Sequence, residues 1–171
     1  MFHLFEKITD LSTGADVIRR RRYGVIEIVN GQLQSVTLRP WPKLISVAEI
    51  GWLGAATHQN RVGDRCLLYY NQPLSSPNFL ALKYVVSNLG TSYRSFRQSL
   101  IVLDRIAQIK KTDALVCEAS NKRISDRFLK RMGWERHLES SRRRHYIKRF
   151  YGVYPDQPVV NARPPRQESA A

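Results

Sequence analysis

The sequence predicts an α+β fold, with a mixed β-sheet of about six or seven strands and flanking helices. Two β-prone runs surround Asn30-Gly31 and indicate an antiparallel hairpin, because Asn-Gly accepts the positive φ angles of a type I′ turn. From residue 79 onward the pattern becomes strand, helix, strand, helix, strand. A helix that connects two neighbouring strands requires them to be parallel, so the sheet should contain both kinds of pairing.

Up to residue 87, alternation of apolar and polar residues predicts strands, and the helical signals are weak. Residues 1–22 are ambiguous and have room for one short helix. Residues 44–54 show roughly helical spacing, which Gly51 and Gly54 weaken. The predicted strands are residues 25–29, 33–38, 65–70 and 79–87. We expect the last two of these strands to pair.

Helical signals are stronger in the second half. Apolar residues recur at steps of four, three and four along a helix that should end near Lys110, and they are Phe96, Leu100, Leu103 and Ala107. Residues 114–119 are predicted to form a buried strand. Asn121 is expected to cap the start of a second helix, which Gly133 closes. Residues 143–151 alternate as a final strand.

Length and composition favour one globular domain, because the chain has 171 residues and 43% of them are hydrophobic. We assign residues 1–152 to this domain, and the proline-rich residues 153–171 to a disordered tail. Neither a signal peptide nor a membrane span is evident, so we expect a cytoplasmic protein with no membrane partner. Cys66 and Cys117 have apolar neighbours and are expected to be buried thiols.

The chain is strongly basic and predicts an anionic partner. Its formal net charge is +14, and residues 61–171 carry 21 cations against nine anions. Residues 142–151 interleave arginines with aromatic residues, as surfaces that bind single-stranded nucleic acid do. One interpretation is therefore binding of nucleic acid or another polyanion. The alternative is a basic edge strand whose charges discourage edge-to-edge pairing.

Several common chemistries lack local motifs. P-loop, dinucleotide-binding, zincin and α/β-hydrolase signatures do not occur, and the four histidines are scattered, so no metal site is predicted. Residues 79–151 nevertheless resemble the core of the acyl-CoA N-acyltransferase (GNAT) superfamily. The resemblance rests on the element order and on the helix end Phe128-Leu-Lys-Arg-Met-Gly133-Trp134-Glu135, because the family's helix commonly ends in an aromatic, a basic residue and Gly-Phe.

This resemblance implies that acetyl-CoA or another acyl-CoA is held where two parallel strands part. Backbone amides near Val85 and Val86 would polarise the thioester carbonyl. The pyrophosphate would rest on backbone amides at the start of the first crossover helix. The residues that match the family's pyrophosphate loop are Arg94, Arg97, Gln98 and Ser99, and Asn121 completes the expected binding set.

The sequence departs from the family pattern in this loop. Arg97 stands at the first family glycine and Ser99 at the second. The arginine either fills the space of the pyrophosphate or replaces amide contacts with a bidentate charged contact. Independently of the family, Arg94 and Arg97 lie at the positive end of a helix dipole, which costs a few tenths to about 1 kcal/mol unless an anion lies between them. The alternative is that both side chains are solvated.

A second departure concerns proton transfer. The family often places a tyrosine four residues before the closing glycine to protonate the departing thiolate, and this position is Leu129 here. Tyr146 or water could substitute. Glu118 is the carboxylate that we nominate as the base that deprotonates an amine. The alternative is a strand-end carboxylate that is paired with one of the many arginines, which is the commoner situation for such a residue.

The expected function is therefore a GNAT-like N-acyltransferase that moves an acyl group from acyl-CoA to an amine of a small molecule or a protein. Activity that is weak or lost is compatible with the missing acid. The alternative is a catalytically inactive GNAT-like scaffold that binds nucleic acid or another polyanion through its basic C-terminal face.

Overall fold

The computed structural model describes residues 4–42, 63–88, 90–120, 124–138 and 140–156. Within these ranges the chain forms eight strands and three helices. The strands are β1 (Glu6–Ile8), β2 (Tyr23–Val29), β3 (Gln32–Arg39), β4 (Arg65–Asn71), β5 (Phe79–Ser87), β6 (Ala114–Glu118), β7 (Glu135–His137) and β8 (His145–Arg149). The helices are α1 (Ala15–Arg20), α2 (Tyr93–Lys110) and α3 (Asp126–Arg131).

The eight described strands belong to one mixed sheet, in the order β1-β3-β2-β4-β5-β6-β8-β7. The strands β5 and β6 are parallel and are joined by α2, whereas the other neighbouring pairs are antiparallel. The predicted α+β class and mixed sheet are confirmed. The predicted number of six or seven strands was too low, because β1 and β7 have only three residues each and are too short to show a period of two.

The predicted hairpin is confirmed as β2 and β3, which pair in antiparallel register from Tyr23 and Arg39 to Val29 and Gln32. The turn consists of Asn30 at φ 52° and Gly31 at φ 72°. Two successive positive φ angles define the type I′ geometry, whose twist matches that of the strands it joins. The local sequence therefore determines this part of the fold.

The second half contains the predicted long helix, and α2 ends at Lys110 as expected. The next helix starts later than predicted, because Ser125 is its N-cap and accepts a hydrogen bond from the Phe128 N–H at 3.2 Å. Asn121, the predicted cap, lies outside the described residues. The final strand is β8, and it lies between β6 and β7 rather than at the end of the sheet.

Tyr154, just past the predicted boundary at residue 152, packs against the predicted domain. The Tyr154 hydroxyl donates a hydrogen bond to the Thr112 carbonyl oxygen at 2.9 Å, and its ring lies 4.9 Å from that of Phe150. An aromatic side chain gives this segment the apolar area that the rest of the predicted tail lacks. Residues 157–171, like the helix predicted over residues 44–54, lie outside the described residues.

The core lies between α2 and one face of the sheet. Burial alternates along β2 and β4, so that every second side chain faces the helix. Typical fully buried members are Ile26, Ile28, Leu38, Leu68, Leu100, Leu103 and Ile106. No helix in the described ranges is long and apolar enough to cross a membrane.

Gly31 is the position of the hairpin turn at which a side chain would strain the backbone. It has φ 72°, and a Cβ atom there would lie 2.7 Å from Nε of Arg94. We expect Gly31→Ala to lower the free energy of unfolding by about 1–2 kcal/mol, because a left-handed φ strains an L residue. Gly31→Asn should lose less, since asparagine adopts this region more readily. Denaturant titration of both variants checks this, and an alanine variant as stable as wild type would contradict it.

Candidate functional site

The parallel strands β5 and β6 part about halfway along β5 and one residue before the end of β6. Their register runs from Phe79 opposite Ala114 to Leu82 opposite Cys117 and ends there. Beyond this point β5 remains paired with β4 as far as Ser87, and β6 remains paired with β8. The two strands therefore diverge towards their carboxyl ends and leave a cleft between them.

A β-bulge lies at the point of divergence. Tyr84 of β5 is opposite Tyr69 of β4, but Tyr70 is opposite Leu82, so Lys83 is an extra residue in β5. A bulge bends its strand and increases the local twist. The bulge at Lys83 thus explains why β5 turns away from β6 immediately after Leu82.

The cleft opens into a cavity of about 540 Å³. This volume lies within the range of ordinary ligand pockets. The cavity is bounded by the diverging strand ends, by the first turns of α2 and by residues around α3. Its lining includes Leu82, Tyr84, Val85, Ser92, Tyr93, Phe96, Cys117, Glu118, Ser120, Leu129 and Trp134.

Glu118 is the carboxylate among these lining residues. It is the last residue of β6, and its side chain is 40% exposed. Arg143 lies beside it, with Nη1 at 3.4 Å from Oε2. Glu118 therefore has an arginine partner and also lies on the cavity lining, and its role as a base stays a prediction.

The N-terminus of α2 is occupied by a carboxylate of the protein itself. Ser92 is the N-cap, and its Oγ accepts a hydrogen bond from the Ser95 N–H at 3.1 Å. Asp64 accepts two further hydrogen bonds, from the Ser92 N–H at 2.8 Å and from the Ser92 hydroxyl at 2.6 Å. An acidic side chain at a helix N-terminus interacts favourably with the helix dipole.

Asp64 is ionised at neutral pH. Partial burial raises its pKa, but the hydrogen bonds from Ser92 and Ser95 and the charge of Arg94 together bring the pKa below its usual range. A lowered pKa in the folded state stabilises the fold above the unfolded-state value. This contribution is lost when the pH falls through the pKa of folded Asp64.

The predicted pyrophosphate loop is part of a helix. Arg94, Arg97, Gln98 and Ser99 all lie within α2, which begins at Tyr93. A helix start at Tyr93 follows from the capping by Ser92 and from the absence of glycine at positions 97 and 99. The loop that the resemblance implies is therefore not formed, and this expectation is corrected.

The side chains of these loop positions also lie apart from the cavity lining. Arg94 lies against Gly31 of the hairpin turn, and Arg97 is exposed. Ser99 is fully buried and donates a hydrogen bond to the Phe96 carbonyl oxygen at 2.7 Å. The charge of Arg94 acts on Asp64 and helps to lower the pKa of that carboxyl group.

The other predicted site residues are divided between the cavity and the rest of the fold. Val85 lines the cavity, whereas Val86 is opposite Leu67 of β4 and is absent from the lining. Tyr146 does not line the cavity either, and its hydroxyl donates a hydrogen bond to Oδ1 of Asp126 at 2.6 Å. Burial and this bond raise the Tyr146 pKa. Its predicted role as proton donor is thus not supported by its position.

Two cysteines line the cavity, and both remain protonated thiols. Burial raises the pKa of Cys117 to about 12. Burial also raises the pKa of Cys66 to about 11, against the opposing effect of Ser99. The thiolate is the nucleophilic form of cysteine. Neither side chain is therefore suited to carry a covalent intermediate at neutral pH.

Sequence reasoning missed Asp64, Tyr93 and Trp134 as members of this region. Asp64 is distant in sequence from the helix that it caps, so no local pattern could identify it. Tyr93 packs edge-on against Phe128 with ring centroids 4.7 Å apart, and this contact joins α2 to α3. Trp134 follows α3, and its backbone N–H donates a hydrogen bond to the Leu129 carbonyl oxygen at 2.9 Å.

The basic C-terminal face is partly neutralised by ion pairs. Four arginines of the β7–β8 region lie within 3.4 Å of a carboxylate oxygen. The pairs are Arg136–Asp126, Arg143–Glu118, Arg144–Asp126 and Arg149–Glu135. Part of the charge that suggested a polyanion is therefore paired with carboxylates of β6, β7 and α3. Within the described ranges, no group of three or more His, Cys, Asp or Glu residues could hold a metal ion.

Comparison with known proteins gives one structural similarity. No family model matches the sequence, and no curated protein matches it. The crystal structure of nourseothricin acetyltransferase is similar with a TM-score of 0.42 and 8% sequence identity, over 86% of this chain and 99% of that one. The class of protein is defined by the described elements themselves: an α+β domain whose mixed sheet opens into a cavity between two parallel strands.

Proposed function

We propose that this protein is an acyltransferase that accepts a thioester in the cavity between β5 and β6 and transfers the acyl group to an amine. The observation that carries the proposal is the divergence of the two parallel strands after Leu82 and Cys117, with a carboxylate at the edge of the resulting cavity. The resemblance of residues 79–151 to the acyl-CoA N-acyltransferases supports it.

The diverging part of β5 suits an extended ligand. Alternate residues of a strand present their N–H and C=O groups to opposite sides. Between Lys83 and Ser87, one side is used by β4, and the other faces the space from which β6 has turned away. A pantetheine arm contains two amide groups, and it could hydrogen-bond to this backbone as an added strand would.

Glu118 supplies the chemistry that an amine requires. As the amine nitrogen bonds to the acyl carbon, the C–S bond breaks, and the proton that the nitrogen loses passes to the Glu118 carboxylate. The departing sulfur takes its proton from water, because Leu129 occupies the position at which the family often places a tyrosine. The two cavity thiols take no part, since their raised pKa values keep them protonated.

The test is formation of an amide. Purified protein is incubated with S-acetyl-pantetheine or acetyl-CoA and a panel of primary amines, and products are identified by mass spectrometry. We expect at least one amine to be acetylated at a rate above the reaction without protein. Absence of product from every donor and amine, together with unchanged thioester, would overturn the proposed function.

A further inference from the structure

We propose that the acyl donor is a thioester on a pantetheine arm that is carried by an acidic protein, rather than free coenzyme A. This inference rests on the proposed function. It follows from three features of the described residues: a carboxylate at the start of α2, the absence of a pyrophosphate loop, and unpaired cations beside the cavity.

The start of α2 does not fit a pyrophosphate. Asp64 already accepts hydrogen bonds from the Ser92 N–H and hydroxyl, and Ser92 in turn accepts from the Ser95 N–H. A phosphate at the same place would have to displace this carboxylate or lie beside it. Like charges at such a distance repel, and the low pKa of Asp64 keeps it charged at neutral pH.

The residues after this cap do not form another binding loop for a pyrophosphate. A pyrophosphate loop needs glycine, so that the backbone can approach the phosphate closely. Here residues 94–99 are helical, and Phe96 N–H is already bonded to the Ser92 carbonyl oxygen at 3.2 Å. The Arg94 side chain is directed to Gly31 of the hairpin turn rather than to the cavity.

The space for the reactive arm nevertheless remains. The cavity of about 540 Å³ extends from the diverging strands to exposed residues, which mark its mouth. Among these, Tyr93 is 58% exposed, and Lys83 and Ser120 are also exposed. The arm of a carrier protein is attached through one phosphodiester with a single negative charge, whereas coenzyme A carries a pyrophosphate and a further phosphate on its ribose. A site that keeps the arm and holds a carboxylate near its phosphate end therefore repels coenzyme A more strongly than the carrier-bound arm.

Cations beside the mouth indicate what that carrier is. Helix α3 contacts the first turn of α2 through Phe128 and Tyr93, and its exposed residues are Arg127, Lys130 and Arg131. Arg97 is exposed on α2. Among the described residues, these four cations form no ion pair within 4.0 Å, unlike the arginines of the β7–β8 region. A cationic surface next to a pocket attracts an acidic protein and raises its association rate.

The test compares three donors that present the same acetyl thioester: S-acetyl-pantetheine, acetyl-CoA and an acidic acyl carrier protein with an acetylated phosphopantetheine arm. We expect the carrier protein to have a kcat/KM at least about tenfold above that of acetyl-CoA, and this advantage should decrease with salt. Arg127→Glu combined with Lys130→Glu should remove most of the carrier protein's advantage in kcat/KM. The same double variant should leave the kcat/KM for S-acetyl-pantetheine unchanged.

The matched control is Arg20→Glu combined with Arg105→Glu, which changes the net charge equally at exposed positions of α1 and the second half of α2. This pair of substitutions should leave the kcat/KM unchanged for all three donors. Asp64→Asn should raise kcat/KM for acetyl-CoA severalfold and leave S-acetyl-pantetheine unaffected, because it removes the repelling charge.

The outcomes separate the inference from the function on which it rests. A kcat/KM for acetyl-CoA equal to or higher than that for the carrier protein would overturn the inference and leave the proposed acyl transfer intact. Failure of all three donors to give an amide would overturn the proposed function. Tight, salt-dependent binding of a single-stranded oligonucleotide that is weakened by Arg127→Glu with Lys130→Glu, without any preference for the carrier protein, would identify nucleic acid as the partner and also overturn the inference.

Discussion

Lys148→Met is expected to lower the free energy of unfolding by about 3–5 kcal/mol, because it leaves a buried carboxylate without its partner. Lys148 on β8 and Asp104 on α2 form an ion pair with 2.7 Å between Nζ and Oδ2. Their side chains are only 8% and 2% exposed. Burial raises the pKa of Asp104 to about 6 even though Lys148 acts in the opposite direction. Methionine keeps most of the apolar stem of lysine, so that the loss reports chiefly on the charge.

The double variant Asp104→Leu with Lys148→Met is the control. Replacement of both members of a buried ion pair by apolar residues is often neutral or stabilising. We therefore expect the double variant to recover most of the stability that the single variant loses. Equal losses in the single and double variants would show that packing, rather than the unpaired charge, accounts for the effect.

The effect of Lys148→Met should also depend on pH. A carboxyl group whose folded-state pKa is raised adds stability below its unfolded-state pKa, and it loses this stability as the pH rises through the folded-state value. For Asp104, this window extends from the ordinary aspartate range up to about 6. Urea titrations at about pH 8 and about pH 5 should therefore show the smaller loss at the lower pH. A loss below about 1 kcal/mol at the higher pH would contradict the account.

Glu118→Gln is expected to lower kcat/KM for amide formation by about 10²–10⁴-fold, which is the usual contribution of a general base. The glutamine keeps the size of the side chain at the cavity edge and loses its ability to accept a proton. The loss should diminish as the pH approaches the pKa of the amine, because a neutral amine depends less on the base. A structural role of Glu118 would give no such pH dependence.

Glu135→Gln is the matched control for this variant. Glu135 is also a strand residue with an arginine partner, and Arg149 Nη1 lies 2.7 Å from its Oε2. It is exposed and is absent from the cavity lining. The control should retain wild-type activity. If both variants lose activity equally, or neither loses any, Glu118 is not the base.

Those parts of the fold that depend on local sequence could be predicted. Asn30-Gly31 determines the hairpin turn through its φ angles, and the spacing of apolar residues identifies α2. The divergence of β5 and β6 was expected only through the family resemblance. Its structural cause is the extra residue Lys83, which appears in the sequence only as a lysine within an otherwise largely apolar run.

The site could be predicted only in part, because its electrostatics depend on contacts between distant segments. Arg94 at the start of a helix suggested a bound anion, but the sequence could not show that Asp64, a carboxylate of the chain itself, lies close enough for the charge of Arg94 to lower its pKa. The charges of β8 suggested a polyanion surface, whereas Arg143 and Arg144 have acidic partners brought to them by the fold. The position of Glu118 could be expected from the sequence, because it is the last residue of a predicted strand that the resemblance places beside the acyl-CoA.

The most direct test of the central claim is a calorimetric titration of S-acetyl-pantetheine into the wild-type protein and into Ser120→Trp, which adds a large side chain at an exposed position of the cavity lining. Leu74→Trp, at a loop residue that is 73% exposed and absent from the lining, is the control. We expect saturable binding at one site in wild type and in the control, and an affinity at least about tenfold lower in Ser120→Trp. Absence of saturable binding to the wild type, or equal affinity in Ser120→Trp, would contradict the account.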